Sequence, residues 1–408
     1  MKKDIKKRLW NKDFTLLLQA GAVSTIGDIM YSVAIGYWVL EQTGSNSLMG
    51  VMTSISMFVT MFLSPFAGSI VDKCNRKWVI VLTDLLQSGV MITVGVLAFL
   101  GNLSVPIVLL AAFLAAFAGV FFSPSANTLL IDIIPQDDMV RGQSIFSGMN
   151  TTINMVGSAF SGLMVAFLGV PLIVVINGLS NLYSAISELF INVPKTVQQG
   201  ETVTVKSTLK DMSVAIKTIF KEPCLKIFVP SALIINLLGA GPISLMLPFC
   251  LEKGFSVDMY GYLISVWTAS SLVCVILLGA IKLKPKVRFW LMAMGFSLSC
   301  ICLTIGYLQK SFLAICICAA LGAFLNTAGN TIFGASMMLA LPETNRSAIL
   351  GFFQSASIGG TALSTLIYGV LGDIFPLYIS FAVGSIISLA PMLFLSFHKR
   401  TKEFVLSH

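Results

Sequence analysis

Long apolar runs alternate with short polar connections along almost the whole chain. Each run has about the length that an α-helix needs to cross the hydrocarbon core of a bilayer, roughly 20 residues. Turn-forming residues separate the runs. The pattern predicts twelve membrane-spanning helices, with the ranges 14–40, 48–71, 78–100, 105–130, 143–168, 171–191, 225–250, 259–281, 289–308, 311–340, 348–372 and 376–397.

The composition supports an all-α integral membrane protein. Only 11% of the 408 residues are charged and 56% are apolar, whereas a soluble protein carries about 25% charged residues. Twelve spans and their connections leave no room for a sizeable soluble domain. The first apolar run, which begins at Phe14, is much longer than the apolar core of a cleaved signal peptide. We therefore expect it to be retained as the first span.

The basic residues fall almost entirely into one set of alternate connections. Of the 26 Lys and Arg residues, only Lys253 and Lys310 lie in the other set. A wrong number of spans would destroy this alternation. The positive-inside rule then predicts a multi-pass protein of the inner (plasma) membrane with both termini in the cytoplasm. The net charge of +8 follows from this topology, and it predicts contact with anionic membrane lipids rather than with nucleic acid.

A polar segment over residues 192–223 divides the chain in two. We interpret it as a cytoplasmic linker between an N-terminal six-helix half, 1–191, and a C-terminal six-helix half, 224–408. A weak repeat relates the halves, because FFSPSANTLL at 121–130 aligns with FLNTAGNTIF at 324–333. Two parallel repeats of six spans are a known transporter architecture, with the substrate site near the midplane between the halves.

The connection between the second and third spans carries a recognisable motif. Residues 68–77 read GSIVDKCNRK, which resembles the loop motif G-x-x-x-D-[RK]-x-G-R-K of the major facilitator superfamily. Asn75 replaces the second glycine, and Asn also tolerates the left-handed conformation of a tight turn. The resemblance implies the major facilitator fold, with two pseudo-symmetric six-helix halves, and a gating loop. The candidate gating residues are Gly68, Asp72, Lys73, Arg76 and Lys77; an ordinary charged loop is the alternative interpretation.

Further residues narrow this resemblance. Gly27 and Asp28 in the first span, the Thr-Gly-Ser run at 43–45 and Asp84 in the third span are similar to the branch that contains macrolide-efflux proteins and the enterobactin exporter. That similarity implies export of an amphipathic small molecule by proton antiport. The fifth span departs from the pattern, since GSAFSG at 157–162 lacks the proline of many drug antiporters. A lipid or lysolipid carrier, or an importer of the same fold, therefore stays open, as does a non-transport membrane protein.

Asp28 is the acidic residue that lies nearest the middle of a predicted span. An ionised side chain at that depth costs at least about 2.5–3.5 kcal/mol, so it is expected to face a cavity. Low polarity favours the protonated form of an isolated carboxyl. We therefore predict that Asp28 couples proton binding to substrate binding. The alternative is a packing role, in which Ser or Asn side chains of a neighbouring helix hydrogen-bond to the carboxylate.

Other polar and aromatic residues inside the spans are candidates for lining a transport cavity. Each polar one could equally form a hydrogen bond between helices, which is common in membranes. The candidates are Ser24, Tyr31, Ser32, Asn127, Asn150, Asn154, Asn177, Asn181, Asn236, Trp267, Asn326, Asn330 and Gln354.

The sequence argues against an enzyme, a metal site and a cofactor. No predicted span contains a cluster of His, acidic and Cys residues, and no Walker-type phosphate loop occurs. The pairs Cys300/Cys302 and Cys316/Cys318 point in nearly opposite directions on a helix, so neither pair can bind one metal ion. A channel is disfavoured because no carbonyl filter motif repeats. The expected partners are a small-molecule substrate, protons and membrane lipids, and we expect a monomer.

Overall fold

A computed structural model describes residues 9–135, 138–192, 213–214, 216–281, 284–341, 346–399 and 402. In these ranges the regular structure is helical and contains no strand. The helices are α1 (Lys12–Thr43), α2 (Asn46–Lys73), α3 (Arg76–Phe99), α4 (Val105–Ile133), α5 (Met139–Leu189), α6 (Leu225–Gly239), α7 (Gly241–Ser244), α8 (Met246–Glu252), α9 (Val257–Ala280), α10 (Pro285–Leu308), α11 (Phe312–Ala340), α12 (Arg346–Ile374) and α13 (Leu377–Phe397).

The predicted spans agree closely with these helices, and the all-α prediction is confirmed. In the described part of the chain, ten helices are long and apolar enough to cross a membrane. The two predicted spans outside that count, 143–168 and 348–372, are helical as well. Both are richer in Ser, Thr and Asn than most of the others, which lowers their mean hydropathy.

The fifth and sixth predicted spans form one element, α5, with a break at a single residue. Gly169 has φ 71° and ψ 161°, while helix continues on both sides. Glycine adopts this backbone conformation without the steric penalty that other residues meet. Pro171 follows at the start of the second segment, where its fixed φ suits the first turn of a helix. The prediction of a boundary between 168 and 171 is correct, but no loop separates the two segments.

The seventh predicted span, 225–250, is discontinuous and comprises α6, α7 and α8. The side chains of α12 satisfy backbone groups at the first break. Ser364 Oγ accepts a hydrogen bond of 2.8 Å from the N–H of Gly241, and the Tyr368 hydroxyl donates one of 2.7 Å to the carbonyl of Leu238. A Cβ on Gly241 would lie 2.5 Å from Cδ2 of Tyr368. A broken helix is tolerated in a membrane when neighbours replace the lost hydrogen bonds in this way.

Removing these two hydrogen bonds is expected to destabilise the protein. Tyr368→Phe and Ser364→Ala each leave a backbone group near the break without its partner, at a cost of about 1–3 kcal/mol. Thermal unfolding of the detergent-solubilised variants measures the loss. Tyr262→Phe on α9 is the matched control, because Tyr262 is exposed. Equal melting temperatures for Tyr368→Phe and Tyr262→Phe would contradict the supporting role of α12.

By contacts, the chain divides into two compact units. The first comprises residues 1–39 and 59–204, and the second comprises 40–58 and 205–408. The core of the first unit is an apolar cluster of α1, α3 and α4 residues, and that of the second joins residues of α6 and α10 to α13. Much of the predicted linker, 192–223, lies outside the described residues, so the domain boundaries stay a prediction.

Candidate functional site

Asp28 lies midway along α1, where this helix touches the second segment of α5. The amides of Asn181 and Asn177 face the Asp28 carboxylate. The preceding residue, Gly27, brings the two helices together. A Cβ there would lie 2.5 Å from Asn177 Oδ1 and 3.3 Å from Asn177 Cα, and it would also collide with Ser180 Oγ. Other residues do not fully cover Asp28, so this mid-span acid has polar neighbours and also an open side.

The two asparagines form a fixed polar network. Asn181 Nδ2 donates hydrogen bonds of 3.0 Å to both the backbone oxygen and Oδ1 of Asn177. Ser180 Oγ donates a 2.8 Å bond to the same backbone oxygen. In the described part of the chain, Asn177 Nδ2 makes no hydrogen bond within the usual distance. This amide therefore remains available to the Asp28 carboxylate or to a polar group of a substrate.

Three cavity-lining candidates, Ser24, Tyr31 and Ser32, lie on α1, and Tyr31 is the one whose environment involves Asp28. Its hydroxyl oxygen is buried, has no hydrogen-bond partner among the described residues and interacts electrostatically with Asp28. The hydroxyls of Ser24 and Ser32 instead donate to carbonyls of their own helix, at 3.3 and 2.8 Å. These two serines are thus satisfied locally.

Two predicted cavity-lining asparagines lie together in the first unit. Asn127 of α4 and Asn150 of α5 line a cavity of about 120 Å³, which Thr25 of α1 also borders. Asn154 lies one turn from Asn150 and donates a 2.8 Å hydrogen bond to its backbone oxygen. Asn127 and Asn150 thus line a cavity, as expected, and their role in transport stays a prediction.

The candidates in the second unit are dispersed. Trp267 lines a largely apolar cavity of about 180 Å³. On α11, Asn330 Nδ2 donates a 2.7 Å hydrogen bond to Oδ1 of Asn326. Asn236 lies on α6 next to Gly360 of α12. Gln354, also on α12, is exposed.

The gating motif is built around a two-residue connection. Gly68, Asp72 and Lys73 belong to the end of α2, and Arg76 and Lys77 begin α3. The side chains of Asp72 and Lys73 lie outside the described set. The predicted loop is therefore mostly helix, and only 74 and 75 lie between the helices.

The two cations of the motif bind groups of neighbouring helices. Arg76 Nη1 lies 2.6 Å from Oδ2 of Asp132 on α4, with the side chains only 11% and 16% exposed. Lys77 Nζ donates a 2.6 Å hydrogen bond to the carbonyl of Leu189 at the end of α5. These contacts join α3 to α4 and α5, so Arg76 contributes to packing as well as to any gating.

The Arg76–Asp132 pair permits a test that separates stability from gating. Arg76→Ala is expected to lower stability by about 3 kcal/mol, because it leaves a mostly buried carboxylate without this partner. The double variant Arg76→Met/Asp132→Leu replaces both charges by apolar groups, so it is expected to regain most of that stability. We expect transport by the double variant to stay impaired. Wild-type transport rates in it would exclude a gating role for Arg76.

Two further acids lie together although no local sequence pattern links them. Asp84 of α3 and Glu188 of α5 interact electrostatically and are 1% and 0% exposed. A local signal for this site existed on α5, where Asn177, Asn181, Ser184 and Glu188 recur at helical spacing and form one polar stripe. Its partner on α3 is more than 100 residues away along the chain, which no local pattern reveals.

Comparisons with known proteins agree with this fold. The sequence profile of the Major Facilitator Superfamily matches residues 17–291. The uncharacterized MFS-type transporter YkuC of Bacillus subtilis (strain 168) is 21% identical over 370 residues, which cover 86% of this chain and 85% of that protein. Macrolide efflux protein A of Streptococcus pyogenes is 21% identical over 186 residues, 46% of each protein.

A solved structure shows the same fold. A bacterial homologue of the human lysosomal transporter Spinster, crystallised in an inward-facing and unoccupied conformation, superposes with a TM-score of 0.72. The alignment covers 98% of this chain and 97% of that one, at 16% sequence identity. The predicted major facilitator fold is confirmed. With a family profile that matches most of its length, this chain belongs to the Major Facilitator Superfamily and is a membrane transporter rather than an enzyme.

Proposed function

We propose that the chain is a secondary active transporter that exports a hydrophobic or amphipathic small molecule in exchange for protons, by alternating access. The observation that carries the proposal is the carboxyl of Asp28 in mid-span, faced by the amides of Asn181 and Asn177. An ionisable residue at this depth is costly and marks a functional site. The name of the relative macrolide efflux protein A supports efflux of an amphipathic compound.

Exchange follows from competition at Asp28. When the site opens to the proton-rich side, the carboxylate takes a proton and loses its charge, which weakens the binding of a substrate with a positive or hydrogen-bond-donating group. When the site opens to the cytoplasm, release of the proton restores the charge and substrate rebinds. A single site that holds either proton or substrate is the minimum that antiport requires. Because both ligands act by differential affinity, neither step needs ATP.

Transport in inverted membrane vesicles tests this function. Uptake of a macrolide and of a panel of other amphipathic compounds is measured with an imposed pH gradient, acid inside, and without it. We expect the gradient to drive accumulation of at least one compound, and collapse of the gradient by a protonophore to release it. Accumulation that is indifferent to the gradient across the panel would contradict proton antiport.

We further propose that the protein lies in the inner membrane as a monomer with both termini in the cytoplasm. The asymmetric distribution of Lys and Arg supports this orientation. Thr202, Lys206 and His408 lie outside the described residues, and single cysteines at these positions report on it. A membrane-impermeant thiol reagent applied to intact cells is expected to leave all three unlabelled. Efficient labelling at these positions would show that the orientation is the opposite of the one proposed.

A further inference from the structure

Asp84 and Glu188 form a buried pair of carboxyl groups in the first unit. Asp84 lies two turns into α3, and Glu188 lies one residue before the end of α5. Both residues are almost completely buried, and the charge of Asp84 acts on the Glu188 carboxyl. The helices α3 and α5 pack closely beside them, where a Cβ on Gly178 would lie 3.2 Å from the backbone oxygen of Ser88. In the described part of the chain, Oδ2 of Asp84 and both carboxyl oxygens of Glu188 make no hydrogen bond within the usual distance, and Ser184 of α5 faces the Asp84 carboxyl.

Two ionised carboxylates are not stable in such a place. Moving one carboxylate out of water costs several kcal/mol, even after the protein relaxes around it. A second negative charge beside it adds repulsion, so one member of a close carboxyl pair keeps its proton. A hydrogen bond network that stabilised two anions would show paired oxygens, whereas three of the four here lack partners within the described ranges.

The cations around this pair are engaged elsewhere in the described structure. Arg76 contacts Asp132, and Lys77 donates to the backbone oxygen of Leu189. At the start of α1, Lys12 lies over the ring of Phe190 at 6.0 Å. The titratable and charged groups that face this region from α1, α3 and α4 are Lys12, Asp13, Asp28, Arg76, Lys77 and Asp132.

The pair also lies within electrostatic range of Asp28. Asp84 interacts electrostatically with Asp28, and the polar stripe of α5 runs from the two asparagines beside Asp28, past Ser184, to Glu188. Because α5 ends at Leu189, the pair lies between Asp28 and the end of the bundle that the charge pattern predicts to be cytoplasmic.

We propose that Asp84 and Glu188 hold at least one proton between them at neutral pH and form a second proton site for transport. The part of this inference that concerns transport rests on the proposed antiport. A proton that leaves Asp28 towards the cytoplasm passes to the ionised member of the pair, and the pair then releases one proton to the cytoplasmic water and returns to its singly protonated state. The transfer exchanges one O–H bond for another and needs no other reactant. The proton held by the pair keeps the local negative charge low, and this favours ionisation of Asp28 at the moment when substrate binds.

Infrared spectroscopy of the purified full-length protein tests the resting proton without any substrate. The carbonyl stretch of a protonated carboxyl is separate from the bands of ionised carboxylates and of the backbone. At neutral pH exposed carboxyls are ionised. We therefore expect the wild type to show a protonated-carboxyl band, and the Asp28→Asn variant to retain it. The double variant Asp84→Asn/Glu188→Gln is expected to lose it.

A second double variant keeps the test decisive if the amide substitutions impair folding. Asp84→Leu/Glu188→Met replaces both carboxyls by apolar groups of similar size, and removing both members of a buried polar pair together is nearly neutral or stabilising. It is also expected to lose the band. Absence of the band from the wild type, or its persistence in both double variants, would overturn the inference.

Vesicle transport of a macrolide distinguishes the inference from the proposed function. If the wild type accumulates the macrolide under a pH gradient, we expect both double variants to lose this accumulation while facilitated equilibration remains. Wild-type accumulation in either double variant would show that the pair takes no part in proton transfer. If macrolide accumulation by the wild type did not depend on the pH gradient, the proposed antiport would be refuted. The infrared result would still decide whether the pair holds a proton at rest.

Discussion

Asp28→Asn is expected to abolish export against a concentration gradient while leaving the protein folded. The asparagine has nearly the shape of a protonated aspartate but cannot release a proton. The variant site therefore always resembles the protonated form of Asp28. No proton can be released to the cytoplasm, and the exchange cycle cannot be completed. Asn181 and Asn177, which face this side chain, can still hydrogen-bond to an amide. In vesicles we expect pH-driven accumulation to fall to the level of empty membranes.

The same variant is expected to equilibrate a neutral substrate down its gradient, because binding and the conformational change do not need the charge. Thr15→Val is the matched control. Thr15 lies near the start of α1, is exposed, and donates its hydroxyl to the carbonyl of Asn11 at 3.0 Å. Its loss is expected to leave transport unchanged. If Asp28→Asn kept uphill export, the proton would be carried elsewhere and Asp28 would have a packing role.

Alanine at Gly95 is expected to destabilise the protein and alanine at Gly89 is not, although both glycines lie on α3. A Cβ on Gly95 would meet Cγ2 of Val175 at 2.5 Å and the backbone nitrogen of the same residue at 3.0 Å. Backbone atoms cannot swing aside as a flexible side chain can. We therefore expect Gly95→Ala to destabilise the protein by about 1–3 kcal/mol, the usual cost of overpacking. Around Gly89 no other atom lies within 4 Å of such a Cβ.

Gly89→Ala is accordingly expected to be neutral or to stabilise the protein by up to about 1 kcal/mol, since alanine favours the helix. Melting temperatures of the two variants in detergent provide the comparison, and transport by Gly95→Ala shows whether the spacing of α3 and α5 matters for function. Equal stabilities for the two variants would mean that α3 and α5 are not as closely packed as described.

Most of the fold was accessible from the sequence because a membrane imposes strong local rules. A span needs a long apolar run, and the connections on one side of the membrane carry nearly all of the basic residues. These rules place the helix ends within a few residues of their positions in the structure. They do not show whether a Gly-Pro cluster bends or interrupts a helix. At 239–242 that outcome depends on the hydrogen bonds that Ser364 and Tyr368 supply, and these residues are distant in the chain.

The candidate site was predictable only in part, for a related reason. Asp28 is conspicuous because the energetic penalty of an acid in mid-span depends on its depth alone. Asp84 and Glu188 come together only because α3 packs against α5, and each lies close enough to a span end to be taken for an interfacial residue. The contact of Arg76 with Asp132 likewise joins two helices and has no counterpart in a local pattern.

The junction at Gly169 bears on how the protein is synthesised. Helix continues on both sides of this one residue, so the two segments of α5 have no polar loop between them. During translation, the first segment would have no hydrophilic stretch behind it to anchor it across the bilayer before the second is made. We therefore expect the two to leave the insertion machinery together, as a helical hairpin, once the ribosome has added Leu189 and the chain beyond it.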